Sequence, residues 1–296
     1  MTTSRVQRVL VAGAGAMGSQ IALVCALAGL EVALYDLDPA MLARADAQLR
    51  DRMAGQVAKG RRTATEVDDA FARLGMDAEL SALTDVDLVI EAVVEKLEVK
   101  RALFAELDGS CPPATILASN SSSFVPSSMA DATSRPDRFV NLHFFNPALV
   151  MRCVEVVRGP ATSDATVAAA VALVERIGKL PVVLDKEIPG FVANRILNAV
   201  RDEAIRLLEG GYASVEAIDT ACRTALGHPM GPFELMDLTG IDIGYLTKQA
   251  RFEQTGDPAD APSATVRAKV EAGHLGRKTG RGFYPYDEHG RRIGGP

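Results

Sequence analysis

His143 and Glu155 stand twelve positions apart in RFVNLHFFNPALVMRCVEVVRG, Arg138 to Gly159, a largely apolar stretch of a chain with 4 histidines. An imidazole can take or give a proton near neutral pH, and a carboxylate beside it decides which ring nitrogen carries that proton. Together they suit general acid–base work on a hydroxyl or carbonyl. The stretch reads as two strands rich in Val and Phe, divided at Asn146-Pro147, where Pro removes a backbone donor and Asn-Pro favours a turn. Such a return brings the two side chains together. The alternative is a buried histidine satisfied by any nearby acceptor, with the glutamate at a sheet end.

A second constellation lies near the start. Arg8 to Ala12 (RVLVA) is a short apolar run, followed by Gly13-Ala14-Gly15-Ala16-Met17-Gly18 and a helical pattern from Ser19 to Ala28 that Gly29 stops. A second strand, EVALY, then ends at Asp36. Strand, GxGxxG, helix and strand-end acid form the dinucleotide fingerprint. Gly13 serves the tight turn, Gly15 lets the backbone approach a pyrophosphate, and Gly18 lets helix and strand pack closely. The helix N-terminus offers its free N–H groups to the phosphates. Asp36 stands where a carboxylate meets the adenosine ribose and repels a 2′-phosphate, which favours NAD over NADP. As a mere helix cap in the Asp36-Leu37-Asp38-Pro39 turn, Asp38 fits better than Asp36.

The elements that must carry these groups alternate. Beyond Met41 runs a charged helical stretch with a basic cluster at Lys59, Arg61 and Arg62 around Gly60, ordinarily a solvated face. Strands are predicted at Val86–Val93, Thr115–Ser119, in RFVNLHFF, in CVEVV and at Pro181–Asp185, with helices at Leu97–Leu107 and Asp164–Ile177 between several of them. After Asp185 helices take over, over Pro189–Glu209, Val215–Leu226, Pro232–Arg251 and Ser263–Ala272, the first opened by Pro189-Gly190 and closed by Gly210-Gly211. The expected fold is α/β: a Rossmann-type doubly wound sheet over 1–187, then an all-helical domain over 188–296.

Composition excludes several classes. With 296 residues, 48% hydrophobic and 24% charged, the chain is an ordinary globular protein, not a disordered or membrane one. A net charge of −6 gives no global basic field, so nucleic acid is not an expected partner and an anionic ligand needs a local cluster. Cys25, Cys111, Cys153 and Cys222 include no CxxC pair, which argues against a zinc site or disulfide framework and for a reducing cytoplasm. The apolar opening from Val9 to Tyr35 is broken by glycines and by Glu31, so neither a spanning nor a targeting segment is expected.

Taken together, GAGAMGSQIA, DLVIEAVVEKLEVK, ASNSSS, RFVNLHFFNP, VEVVRG, IPGFVANRI, GHPMGPFELMDLTGID and LGRKTGRGFYPYD resemble the L-3-hydroxyacyl-CoA dehydrogenase family, closest to its stand-alone 3-hydroxybutyryl-CoA dehydrogenases. They fall in family order over nearly the whole chain. The resemblance implies NAD as cofactor, an acyl-CoA substrate, and His143 as the base that takes the 3-hydroxyl proton, with Glu155 as its partner. It places Ser122 and Asn194 around the reacting oxygen and the thioester carbonyl, although Ser122 also suits a backbone contact at a strand end and Asn194 helix packing. Asn146 fits a further substrate contact or simply the turn. Glu95 and Lys100 resemble residues near the nicotinamide, Glu95 being equally readable as a helix-start carboxylate. Lys59 and its arginine neighbours suit the CoA phosphates. Cys153 replaces a more usual aliphatic residue. The distal LGRKTGRGFY implies a structural role near a dimer interface, and the family expectation is a homodimer. The rivals are a dehydrogenase of a hydroxyacyl-carrier protein or a free hydroxy acid, and a catalytically idle dinucleotide-binding protein.

Overall fold

β1 (Arg8–Ala12) turns through the glycine loop into α1 (Ala16–Leu27), which returns the chain to β2 (Glu31–Tyr35) beside and parallel to β1. The computed structural model describes residues 6–80 and 85–294. α1 starts three residues before the predicted Ser19, directly after Gly15, so its N-terminus faces the turn that the glycines form. α2 (Pro39–Ala58) is capped by Asp38, whose carboxylate accepts from Ala40 N at 2.9 Å, and α3 (Ala64–Ala72) by a Thr63–Glu66 capping box. β3 (Leu74–Asp77) was not predicted. Its LGMD sequence has little strand propensity, and pairing with β2 at the sheet edge holds it.

The chain continues as β4 (Leu88–Glu91), α4 (Leu97–Ser110), β5 (Ile116–Ser119), α5 (Ser127–Ala130), β6 (Phe139–Phe144), β7 (Cys153–Arg158), α6 (Asp164–Arg176) and β8 (Leu180–Leu184). Among the described residues the strands form one sheet in the order β3-β2-β1-β4-β5-β6-β7-β8, parallel except where β7 meets β6. The central strands β4, β5 and β6 are covered on both faces, and the period of two sorts side chains between two cores. Val9, Val11, Leu88 and Ile90 pack with α1 residues such as Ile21 and Leu23. Their neighbours Leu10, Ala12 and Val89 pack on the other face against Phe104 and Leu107 of α4. In β6 the same parity sends Val140, Leu142 and Phe144 to the first core. Asn141 and His143 therefore face the other way. The strand order reverses between β1 and β4, where loops diverge and a doubly wound sheet binds its ligand.

Contacts divide the chain into a unit ending at Val192 and a second beginning at Ala193. The second contains α7 (Ala193–Glu209), α8 (Val215–Thr224), α9 (Pro232–Thr239), α10 (Ile241–Thr255) and α11 (Ala264–Glu271). Two expectations are corrected here. The helix predicted from Pro189 starts only at Ala193, because Gly190 (φ 79°) and Phe191 (φ 49°) are left-handed. Phe191 is buried with Val157 and Leu184. The helix predicted over Pro232–Arg251 is broken at Gly240, whose φ of 97° ends α9 and starts α10.

The second unit's core, including Ile205, Ile218, Phe233 and Met236, contains two buried carboxylates. Asp219 accepts from Phe233 N, Glu234 N and Tyr284 Oη at 2.8–3.1 Å, capping α9. Asp237 accepts from Phe283 N, Tyr284 N and Tyr286 Oη, each at 2.9 Å. Burial raises both above their ordinary value, and the three bonds to each limit that cost. A Cβ on Gly282 would lie 2.0 Å from Asp237 Oδ1, so the glycines of LGRKTGRGFY admit a close fold over this acid.

Candidate active site

The loop after β1 is built to lie against the loop after β4. A Cβ on Gly13 would fall 2.5 Å from Ala92 O, and one on Gly18 would fall 1.8 Å from Gly13 O, so neither position tolerates a side chain. Gly15 differs: a Cβ there would meet nothing within 4 Å. It is the N-cap of α1 and supplies no capping side chain, which leaves the first-turn amides open to a ligand. Asp36, at the end of β2, accepts from Ala14 N at 2.7 Å and Asp38 N at 3.1 Å. It thus braces the glycine loop, while capping falls to Asp38. An open cradle at a helix N-terminus, with a strand-end carboxylate beside it, fits the pyrophosphate and ribose of NAD.

On β6 and β7, His143 and Glu155 are direct register partners. Opposed residues of an antiparallel pair are close enough for side chains to meet. His143 Nδ1 lies 2.8 Å from Glu155 Oε2, and Val192 N donates to Glu155 Oε1 at 2.9 Å. Glu155 is 0% exposed and His143 5%. A carboxylate at this distance accepts from the ring only in the tautomer that carries its proton on Nδ1. His143 also lines a cleft. The rings of Phe145 and Phe191, with centroids 4.5 and 5.4 Å from the imidazole, flank it.

Beside this pair lies an acid–lysine network. Lys100, 1% exposed, reaches from α4 to Glu91 Oε1 at 2.6 Å and Glu95 Oε2 at 3.0 Å. Glu91 also accepts from Ser119 Oγ at 2.6 Å and Val93 N at 2.8 Å. Glu95 accepts from Ser121 Oγ and from Ser123 N at 3.1 Å. Burial acts to raise the pKa of Glu95, but the Lys100 charge and these hydrogen bonds outweigh it and hold the group below its ordinary value.

A cleft of about 320 Å³ gathers Met17, Glu95, Lys100, Ser122, His143 and Asn146 into one wall. Of the neighbouring serines, Ser121 is spent on Glu95 and Phe124 N, whereas Ser122 lines the cleft. The Asn146-Pro147 bond is cis, within the connection between β6 and β7. Gly13, Gly15, Ala16, Gly18 and Asp36 belong to the cradle described above and do not line this cleft. Neither does Lys59, exposed at the end of α2. Asn194 sits in the first turn of α7, in the second unit. The sequence reading missed Glu91 and Asn120. Glu91 carries the signal that singled out Glu155, a lone acid in an apolar strand. Asn120 lines the cleft and holds the end of β6 by accepting from Phe144 N at 2.9 Å.

A dinucleotide cradle and a buried imidazole–carboxylate pair on one sheet define an oxidoreductase that works on a proton-bearing oxygen with a nicotinamide cofactor. Within that class the chain belongs to the 3-hydroxyacyl-CoA dehydrogenase family: residues 8–188 match the NAD binding domain and 190–286 the C-terminal domain. It is an NAD-dependent oxidoreductase. Among its relatives is the probable 3-hydroxybutyryl-CoA dehydrogenase of Bacillus subtilis, 41% identical over 96% of this chain and 98% of that protein. The crystal structure of (S)-3-hydroxybutyryl-CoA dehydrogenase PaaH1 from Ralstonia eutropha superposes with a TM-score of 0.88 at 38% identity, over 96% and 100% of the two chains. A diketoreductase acting on dicarbonyl compounds superposes at 0.86 and 32% identity, over 96% and 100%. Among the described residues no helix is long and apolar enough to cross a membrane.

Proposed function

We propose that the protein interconverts a short-chain L-3-hydroxyacyl-CoA, such as 3-hydroxybutyryl-CoA, and its 3-oxoacyl-CoA, in both directions. The observation that carries this reading is the 2.8 Å His143–Glu155 pair opening on the cleft beside the glycine loop. In the oxidative direction Nε2 of His143 takes the proton from the 3-hydroxyl. Glu155 keeps the other ring proton in place and stabilises the imidazolium that forms. Bound NAD supplies the two-electron acceptor for the alcohol carbon. Ser122 orients the reacting oxygen by hydrogen bonding, a task that the resemblance also gives to Asn194, and Asn146 adds a substrate contact. Glu95 and Lys100 present charge on the nicotinamide side, and Lys59 serves the CoA phosphates. A homodimer in the cytoplasm completes the reading; free thiols at all four cysteines suit a reducing compartment.

The test is NADH oxidation, followed by loss of the nicotinamide absorbance, with acetoacetyl-CoA beside acetoacetate and acetoacetyl-carrier protein. Turnover of the CoA thioester well above the others is expected. The likeness to a diketoreductase makes free carbonyl compounds the second reading, and preferential turnover of acetoacetate would establish it. NADH binding without turnover of any of the three would leave an idle dinucleotide-binding protein. Asp36→Ser should lower the ratio of kcat/KM for NADH over NADPH by roughly tenfold or more, because a like charge facing the 2′-phosphate is removed. An unchanged ratio would remove Asp36 from ribose recognition.

A further inference from the structure

Lys179 lies in the turn between α6 and β8 and is 8% exposed. Its Nζ donates to Ala148 O at 2.6 Å and to Met151 O at 2.7 Å. Both carbonyls belong to the 145–152 connection between β6 and β7, which begins with the cleft residues Phe145 and Asn146. A buried ammonium is costly, and burial here draws the Lys179 pKa down. Neutral carbonyls compensate a charge less than a carboxylate would. An aliphatic side chain would avoid the cost but leave the two carbonyls without these donors. What the ammonium adds is therefore a fixed place for this stretch of backbone.

The same stretch is tied from other sides. Leu180 N donates to Arg152 O at 2.8 Å, extending the pairing of β8 with β7. Gln20 of α1 accepts from Leu149 N at 3.4 Å while its Nε2 donates to Ala16 O, in the first turn of the same helix, at 2.7 Å. Phe145, at the head of the connection, lies against the imidazole of His143. We infer that Lys179 is a positioning residue for the reaction: by gripping Ala148 and Met151 it sets the Phe145–Asn146 wall of the cleft against His143. The inference rests on the function proposed above, and the grip itself is measurable without any substrate.

Lys179→Met, Lys179→Arg and the parent protein are compared in three ways: steady-state kinetics with acetoacetyl-CoA and NADH, direct NADH binding, and amide hydrogen exchange without substrate. Lys179→Met should exchange faster within 145–152 and lose roughly 10- to 100-fold in kcat/KM for the thioester, the scale of a misplaced positioning group. NADH affinity should stay within about twofold, as the cradle is intact, and Lys179→Arg should recover most of the loss. Unchanged exchange and kinetics would overturn the inference. So would losses spread evenly over NADH affinity, thermal stability and exchange throughout the first unit, which would mark a purely structural lysine. If Lys179→Met does not fold, Lys179→Gln, which retains an amide donor, reads the same split. If the parent protein leaves the thioester untouched, the proposed function fails, and exchange in 145–152 still decides the grip.

Discussion

His143→Gln is expected to lower kcat by roughly 100-fold or more while leaving NADH affinity within about twofold. Glutamine approximates the size of the ring and can still donate to Glu155, so the 0%-exposed carboxylate keeps a partner and the β6–β7 pairing need not change. What disappears is the basic nitrogen on the cleft side. The loss therefore belongs in kcat and kcat/KM together, as for a group that acts only when the proton moves. Glu155→Gln should also lose turnover, because an amide can offer a donor to Nδ1 and set the ring with its proton on Nε2, where a base is required. Stopped-flow single turnovers with acetoacetyl-CoA and NADH, beside equilibrium NADH binding, check both variants. Near-parental turnover in His143→Gln would remove that residue from the mechanism.

The pairing of His143 with Glu155 was legible in the sequence because two period-two strands around a Pro-marked connection carry their own register. Once β6 folds back on β7 with Val140, Leu142 and Phe144 in one core, parity leaves His143 and Glu155 on the same face. The glycine loop was legible in part for a similar reason: Gly18 meets the backbone of Gly13, which any strand–turn–helix of that length would bring there, whereas Gly13 answers to Ala92 in the loop after β4. What stayed hidden depends on distant partners. β3 exists because β2 offers an edge. The left-handed Phe191 is held among Val157 and Leu184. The break at Gly240 interrupts a pattern that reads as a continuous helix, since one glycine inside an amphipathic run is compatible with either outcome. Lys179 carries no signal in the sequence, because its acceptors are backbone carbonyls some thirty residues away, which no side-chain pattern records.

Lys100→Met should cost about 3–5 kcal/mol of folding stability, the usual penalty for removing one partner of a buried ion pair. Methionine fills most of the lysine volume, so the expected loss is electrostatic. Glu91, 0% exposed, would retain Ser119 and Val93 N as donors but no charge to answer its own. The pH dependence carries a separate sign. Glu95 has its pKa depressed in the folded protein, so its contribution is present above the unfolded value of about 4.3 and is lost as pH falls through the lower folded value. Without Lys100, Glu95 loses the largest of the contributions that lower its pKa, so the variant should lose less stability than the parent as pH falls. The gap in stability between parent and Lys100→Met, from urea titrations at several pH values, should therefore narrow on the acid side. A gap below about 1 kcal/mol at neutral pH would show that the remaining donors suffice for Glu91. Replacing both partners, as Glu91→Gln with Lys100→Met, should recover much of the loss, since a buried ion pair is often no more stabilising than its neutral replacement. That double variant separates two reasons for the pair. If it is stable yet impaired in NADH binding or turnover, the charges are retained for the cleft that Lys100 and Glu95 line; if it is stable and fully active, they serve only the packing between β4 and α4.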